Sequence, residues 1–122
     1  MEIHIETQNV EIPPHSNKRL KGLVRGTMEK AGLQIAQLHL SLRDVNGKKG
    51  GRDKVCTVRA TLIPGGEIVV VDRSNTMREG LLRALRRSRS VIRRELTRRR
   101  QRARKVAFTA RAANLEAEPS PA

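Results

Sequence analysis

The fold of this 122-residue chain is decided by the segment VCTVRATLIPGGEIVVVD, residues 55–72. Apolar and polar side chains alternate over 55–63, which is the period of a strand with one buried face. The Pro-Gly-Gly at 64–66 then predicts a tight hairpin turn, and Glu67 to Asp72 predicts the strand that follows it. The segment therefore predicts a β-hairpin, around which the rest of the chain can be placed.

Upstream of this hairpin the sequence predicts two more strands and one helix. Alternation over Glu2–Thr7 and over Ile35–Val45 indicates half-buried strands, and 46–51 indicates a flexible, charged turn. Between the two strands, Ser16–Ala31 has helical periodicity. Its apolar stripe comprises Ser16, Leu20, Leu23, Val24, Thr27 and Ala31.

Downstream of the hairpin a second, longer helix is predicted. Thr76 and Glu79 have the spacing of a capping box, so we expect the helix to begin at Met77 and to continue to about Lys105. The residues expected to face the core are Met77, Leu81, Ala84, Leu85, Ser88 and Ile92. The arginines expected on the opposite side are Arg83, Arg86, Arg93 and Arg94, with Arg87 and Arg89 on the flanks.

The predicted elements define an α+β fold in the order β-α-β-β-β-α. We expect a four-stranded sheet with two helices packed on one face and a basic C-terminal extension. The last five elements follow the order of double-stranded-RNA-binding domains, which recognise A-form shape and phosphates more than sequence. We predict one domain over residues 1–100 and a flexible tail over 101–122 that changes from basic to acidic.

The charge of the chain points to a polyanionic partner. Its formal net charge is +14, and the segment from Arg83 to Lys105 has twelve basic residues and only one acid, Glu95. A solvated helix surface usually mixes both signs, whereas a nucleic acid supplies the opposite charge and releases its own counterions. An acidic protein or an anionic membrane also matches the sign, and a nonspecific basic tail is the simplest alternative.

Other function classes lack support in the sequence. Phe108 is the sole aromatic side chain, so a sheet that stacks RNA bases is excluded. His4, His15 and His39 are scattered without metal-ligand spacing, and no nucleophile–base or paired-carboxylate arrangement is present. Cys56 lies in an alternating run and is expected to be buried. We therefore expect no enzyme activity, cofactor, metal or small-molecule substrate.

No membrane attachment or export is expected either. No apolar run is long enough to span a bilayer, and the N-terminus lacks the layout of a signal peptide. The protein is therefore expected to be cytoplasmic.

Basic residues on the first helix extend the candidate binding surface. Lys18, Arg19, Lys21 and Arg25 lie beside or opposite its apolar stripe. If both helices pack on the same face of the sheet, their outer sides can line one continuous basic groove. An ordinary solvated helix surface is the alternative for these four residues.

The pattern resembles the hibernation-promoting and ribosome-associated inhibitor family, also called the sigma-54 modulation family, in its short form. The resemblance covers about residues 1–96 and rests on the order and spacing of short motifs. These are Val10-Glu11-Ile12 before the first helix, Ala60-Thr61-Leu62 and Gly65-Gly66-Glu67-Ile68-Val69 around the hairpin, and Met77 after its N-cap.

The resemblance implies a monomeric factor that binds the small ribosomal subunit through rRNA. Such factors occupy the mRNA path and the aminoacyl- and peptidyl-tRNA sites, and so they inhibit translation under stress. The positions that match the family's RNA-binding residues are Lys18, Lys21, Arg25, Arg83, Arg86, Arg87, Arg93 and Arg94. We add Arg98 to these candidate RNA-binding residues. A general double-stranded-RNA-binding module, or a regulator that docks its basic helix on an acidic protein, are the alternative hypotheses.

Overall fold

A computed structural model describes residues 1–29, 34–45 and 53–117, with side chains described as far as residue 113. The elements are β1 (Glu2–Gln8), α1 (Pro14–Glu29), β2 (Ile35–Asp44), β3 (Lys54–Leu62), β4 (Glu67–Ser74) and α2 (Met77–Ala117). The predicted α+β class and the order β-α-β-β-β-α are confirmed. Two features of the prediction, the burial of Ala31 and the turn over 46–51, lie outside the described residues.

The four strands form one mixed sheet in the order β1-β2-β3-β4. β1 and β2 are parallel, as expected for strands joined by a helical crossover, and the other two pairs are antiparallel. Val58 lies opposite Leu40 on one side and Val70 on the other. The predicted hairpin is confirmed: Leu62 N–H donates to the Gly66 carbonyl at 2.9 Å, and Gly66 has a φ of 99°.

One face of the sheet and both helices enclose the hydrophobic core. Alternate residues of β2 and β3 point into it, as the sequence predicts, and α2 covers them together with α1. The buried side chains include Leu38, Leu40, Leu42, Cys56, Val58, Ala60, Leu62, Leu81, Ala84, Leu85 and Ile92. This packing places both helices in one layer, with their outer sides facing solvent.

The buried side of α1 differs from the predicted stripe. Leu23 was expected in the core but is 46% exposed, whereas Met28 is only 1% exposed. Val24 and Met28 are four residues apart and therefore lie on one side of the helix, and Leu23 is rotated about 100° from Val24. The helix also begins two residues earlier than predicted, at Pro14, where a proline has no N–H to leave unpaired.

α2 begins as predicted but is longer than expected. Glu79 N–H donates to Thr76 Oγ1 at 3.2 Å, which confirms Thr76 as the N-cap. The predicted end near Lys105 is wrong, since the helix continues to Ala117, and its 41 residues span about 60 Å. Alanines favour this continuation, and the first proline after it is Pro119. The predicted domain boundary at residue 100 falls within this helix, and a flexible tail over 101–122 stays a prediction.

Candidate nucleic-acid interface

Two of the candidate arginines on α2 are held by a buried carboxylate. Arg83 Nε lies 3.6 Å from Asp72 Oδ2, and Arg87 Nη1 lies 3.4 Å from the same oxygen. The Asp72 side chain is only 4% exposed, so these cations compensate a charge that would be costly to bury alone. Arg83 was expected opposite the sheet, but its guanidinium is turned toward β4, because Asp72 faces the helix layer there.

Arg87 also protects the open edge of the sheet. Its Nη1 donates a 3.1 Å hydrogen bond to the carbonyl oxygen of Val71. β4 is an edge strand, so this carbonyl has no neighbouring strand to bind it. Arg83 and Arg87 therefore stabilise the fold, although about half of each side chain remains accessible.

Three other candidate arginines on α2 form no such contact among the described residues. Arg86, Arg93 and Arg94 are exposed, and none forms an ion pair with a carboxylate in the part of the chain that the structure describes. Arg86 and Arg93 are seven residues apart, so they project within about 20° of each other. Arg93 and Arg94 line a shallow depression with Thr97, Arg98 and Gln101. These cations are available for an external anion.

Arg98 is paired with a carboxylate but remains largely exposed. Its Nη1 lies 3.6 Å from Glu95 Oε2, and Arg99 Nε donates to Glu95 Oε1 at 3.2 Å. Most of the Arg98 side chain remains in water, where an ion pair of this kind contributes about 0–1 kcal/mol. The guanidinium of Arg98 can therefore exchange Glu95 for a phosphate at little cost.

α1 contributes the remaining candidates to the same layer. Lys18 and Lys21 are exposed and form no ion pair within the described ranges, while Arg25 Nη1 lies 3.6 Å from Glu29 Oε1, also at the surface. The three cations lie within about 60° of one another around the helix. Because α1 contacts α2, both helices present basic side chains in the same layer. That they line one continuous groove stays a prediction.

A second basic surface lies on the other face of the sheet and was not predicted from the sequence. Arg43 and Arg73 lie in one cross-strand row on either side of Val55. Arg59 Nε lies 2.8 Å from Glu67 Oε1, and the rings of His4 and His39 are stacked with centroids 6.5 Å apart. Strand alternation places these side chains outward, but nothing in the sequence shows which rows become adjacent.

Cys56 is fully buried, and burial, with the nearby Asp72 charge, raises the pKa of its thiol to about 12, so it stays protonated. Among the described residues, no three His, Cys, Asp or Glu side chains cluster in a way that suits a metal ion. Within the same residues, no helix has both the length and the apolar composition needed to cross a membrane.

Comparison with solved structures finds the same fold in several chains, among them the following two proteins. A ribosomal subunit interface protein from Coxiella burnetii superposes with a TM-score of 0.59 and 19% identity over 80% of this chain and 99% of its own. The N-terminal domain of Thermus thermophilus Protein Y gives a TM-score of 0.61 and 17% identity over 77% and 98%. No family model and no curated protein matches the sequence. The fold that the resemblance implies is therefore confirmed.

Proposed function

We propose that this chain is a ribosome-binding translation inhibitor of the hibernation type. It binds the small ribosomal subunit through rRNA and occupies the positions of mRNA and of the A- and P-site tRNAs. Two lines support this proposal: the fold shared with a ribosomal subunit interface protein and with Protein Y, and the charge of the helix layer. The proposed site of action is the cytoplasm.

The observation that most directly supports the proposal is the set of unpaired cations on α2. Arg86, Arg93 and Arg94 are exposed, without a carboxylate partner among the described residues, on a helix fixed to the sheet by its buried side. Because the helix is already fixed, its backbone loses little conformational entropy when these side chains bind RNA phosphates, and the planar guanidinium suits those phosphates. Release of the RNA's counterions then supplies much of the binding free energy.

Inhibition by this mechanism requires no catalysis. The helix layer neutralises rRNA phosphates, while the domain itself fills space that tRNA and mRNA would otherwise occupy. Competition for one site is sufficient to stop translation, so the proposal needs no cofactor, no small-molecule substrate and no second copy of the chain.

Sedimentation tests the proposal with two variants of equal charge. Arg86→Glu/Arg93→Glu reverses two of the unpaired cations on α2, whereas Arg43→Glu/Arg73→Glu reverses two arginines on the opposite face of the sheet. Both variants lower the net charge from +14 to +10, since each substitution removes two charges. In low-salt sucrose gradients we expect the wild type and the Arg43/Arg73 variant to migrate with small subunits, and the Arg86/Arg93 variant to remain at the top.

Equal loss of binding by both variants would indicate nonspecific attraction and contradict the proposed interface. Binding to a plain RNA duplex as tight as to the small subunit would favour the double-stranded-RNA-binding module. Co-purification with one acidic protein that persists after RNase treatment would favour the protein-docking regulator.

A further inference from the structure

The last part of α2 extends away from the folded domain. Leu96 is the last residue of the helix in the core, and the Arg99 guanidinium lies against Gly66 of the hairpin. Every residue from Arg100 to Arg111 is exposed. We call residues 100–117 the arm; at 1.5 Å per residue it reaches about 25 Å beyond the domain. Arg100 and Ala103 still lie beside Pro64 of the hairpin, but the rest of the arm makes no packing contact among the described residues and is available to an external partner.

The charge of the arm favours a polyanion as its binding partner. Its cations are Arg100, Arg102, Arg104, Lys105 and Arg111, and the sequence contains no acid between Glu95 and Glu116. None of the five forms an ion pair within the described residues. Like charges at such spacing repel each other along a helix. A second copy of the same arm would add to this repulsion, whereas a chain of phosphates would relieve it.

Phe108 adds a specific feature to this charged helix. It is the only aromatic residue of the chain and is 75% exposed. Arg104 and Lys105 come four and three residues before Phe108, and Arg111 comes three residues after it. Residues at these spacings are neighbours on a helix surface, so the three cations surround the ring. An exposed ring bordered by cations can stack on a base while the cations bind the flanking phosphates.

Among the described side chains of the arm, Val106 is the other large apolar one, and its position argues against a membrane partner. Val106 is 63% exposed, but it lies two residues from Phe108 and therefore on nearly the opposite side of the helix. A helix that lies on a bilayer needs its bulky apolar residues on one side. On the side of Val106 the neighbouring residues are alanines, Ala103, Ala107 and Ala110, which offer little apolar area.

We propose that the arm is a second RNA-binding element, in which Phe108 stacks on one unpaired base and Arg104, Lys105 and Arg111 bind the adjoining phosphates. This deepens the proposed function by specifying the RNA feature that the arm recognises, and it rests on that proposal only in taking RNA as the partner. The domain would provide the main attachment, and the arm would add a contact to an unstacked nucleotide about 25 Å from it.

The chain provides its own reporter for the test. It contains no Trp and no Tyr, so Phe108→Trp introduces a single fluorophore that retains the ability to stack. The probes are an RNA hairpin with one bulged nucleotide, the same hairpin fully paired, and vesicles of anionic phospholipid. We expect the bulged RNA to quench the tryptophan strongly, the paired RNA to quench it weakly, and the vesicles to leave its emission unshifted.

Affinity measurements with the full-length chain complete the test. Phe108→Ala should weaken binding to the bulged hairpin by about 5- to 150-fold, the range that base–aromatic stacking supplies. Val106→Ala is the matched control on the other side of the helix and should leave the affinity unchanged. Equal affinities for Phe108→Ala and wild type, or an emission shift with vesicles but not with RNA, would overturn the inference. Either result would leave ribosome binding through Arg86 and Arg93 untouched, so the two proposals fail separately.

Discussion

Arg87 Nη1 lies 3.4 Å from Asp72 Oδ2, so one of the predicted RNA-binding arginines is joined to the most buried charge on β4. This contact separates two functions within one basic helix. Arg87 and Arg83 compensate the buried charge of Asp72, whereas Arg86 and Arg93 pair with no carboxylate among the described residues. Variants at Arg83 or Arg87 change the stability as well as the surface charge, and so the RNA interface is better tested at Arg86 and Arg93.

Replacing Arg87 with alanine is expected to lower the free energy of unfolding by about 1 kcal/mol, because Asp72 loses a partner and the Val71 carbonyl loses its donor. Arg86→Ala is the matched control and should change it by less than about 0.5 kcal/mol. Urea denaturation measures both. Equal stabilities for the two variants would show that Arg87 has no structural role.

The hairpin glycines should respond differently to alanine. Gly66 has a φ of 99°, and an added Cβ would lie 2.2 Å from Arg99 Nη2, whereas Gly65 has open space around it. We expect Gly66→Ala to cost about 1–3 kcal/mol through backbone strain, with Arg99 displaced, and Gly65→Ala to be nearly neutral. Thermal unfolding of the two variants provides the measurement, and a Gly66→Ala protein as stable as wild type would refute the prediction.

Glycines of the two helices form a second contrasting pair. An added Cβ at Gly22 meets nothing within 4 Å, but one at Gly80 would lie 2.6 Å from Ser74 Oγ. Gly22→Ala should therefore stabilise the protein by about 0.5–1 kcal/mol through helix propensity. Gly80→Ala should destabilise it, since either the Ser74 hydroxyl rotates away and loses its hydrogen bond to the Thr76 carbonyl, or α2 shifts away from β4. Urea midpoints that shift in the same direction for both would contradict this account.

The buried thiol predicts a specific pH dependence of stability. Burial, with the Asp72 charge, raises the pKa of Cys56 to about 12 from its ordinary value of 9.0. The unfolded chain thus loses this proton at lower pH than the folded chain does. The resulting stabilisation is complete below pH 9.0 and is lost as pH rises toward about 12. Stability should fall more steeply above pH 9.0 for wild type than for Cys56→Ala, as measured by urea titration at several pH values. Parallel curves would argue against it.

Local patterns were sufficient to predict most of the fold. The alternation on either side of Pro64-Gly65-Gly66 determines the hairpin, and the Thr76 cap fixes the start of α2, because strand period and capping depend on neighbouring residues only. The rotation of α1 was predicted wrongly at Leu23. That error has a physical basis, since Leu23 and Val24 are adjacent and only the packing against the sheet decides which is buried.

The division of the arginines could not be predicted from the sequence. Asp72 and Arg87 are fifteen residues apart, and their contact depends on how α2 crosses β4. Helical spacing placed Arg83 and Arg86 in one set on the outer side, although of these two only Arg83 pairs with Asp72. The extra length of α2 was not predicted for another reason. Beyond Leu96 the helix has no core to cover, so its sequence lacks the apolar stripe from which a helix is predicted.

The proposed function requires the basic helix layer to occupy the sites of tRNA and mRNA on the small subunit. The most direct test is competition, in which tRNA bound to mRNA-programmed small subunits is titrated with the protein. We expect wild type and Arg43→Glu/Arg73→Glu to displace the tRNA at about one protein per subunit, and Arg86→Glu/Arg93→Glu to leave it bound. A small subunit that holds the protein, the mRNA and both tRNAs at once would contradict the account.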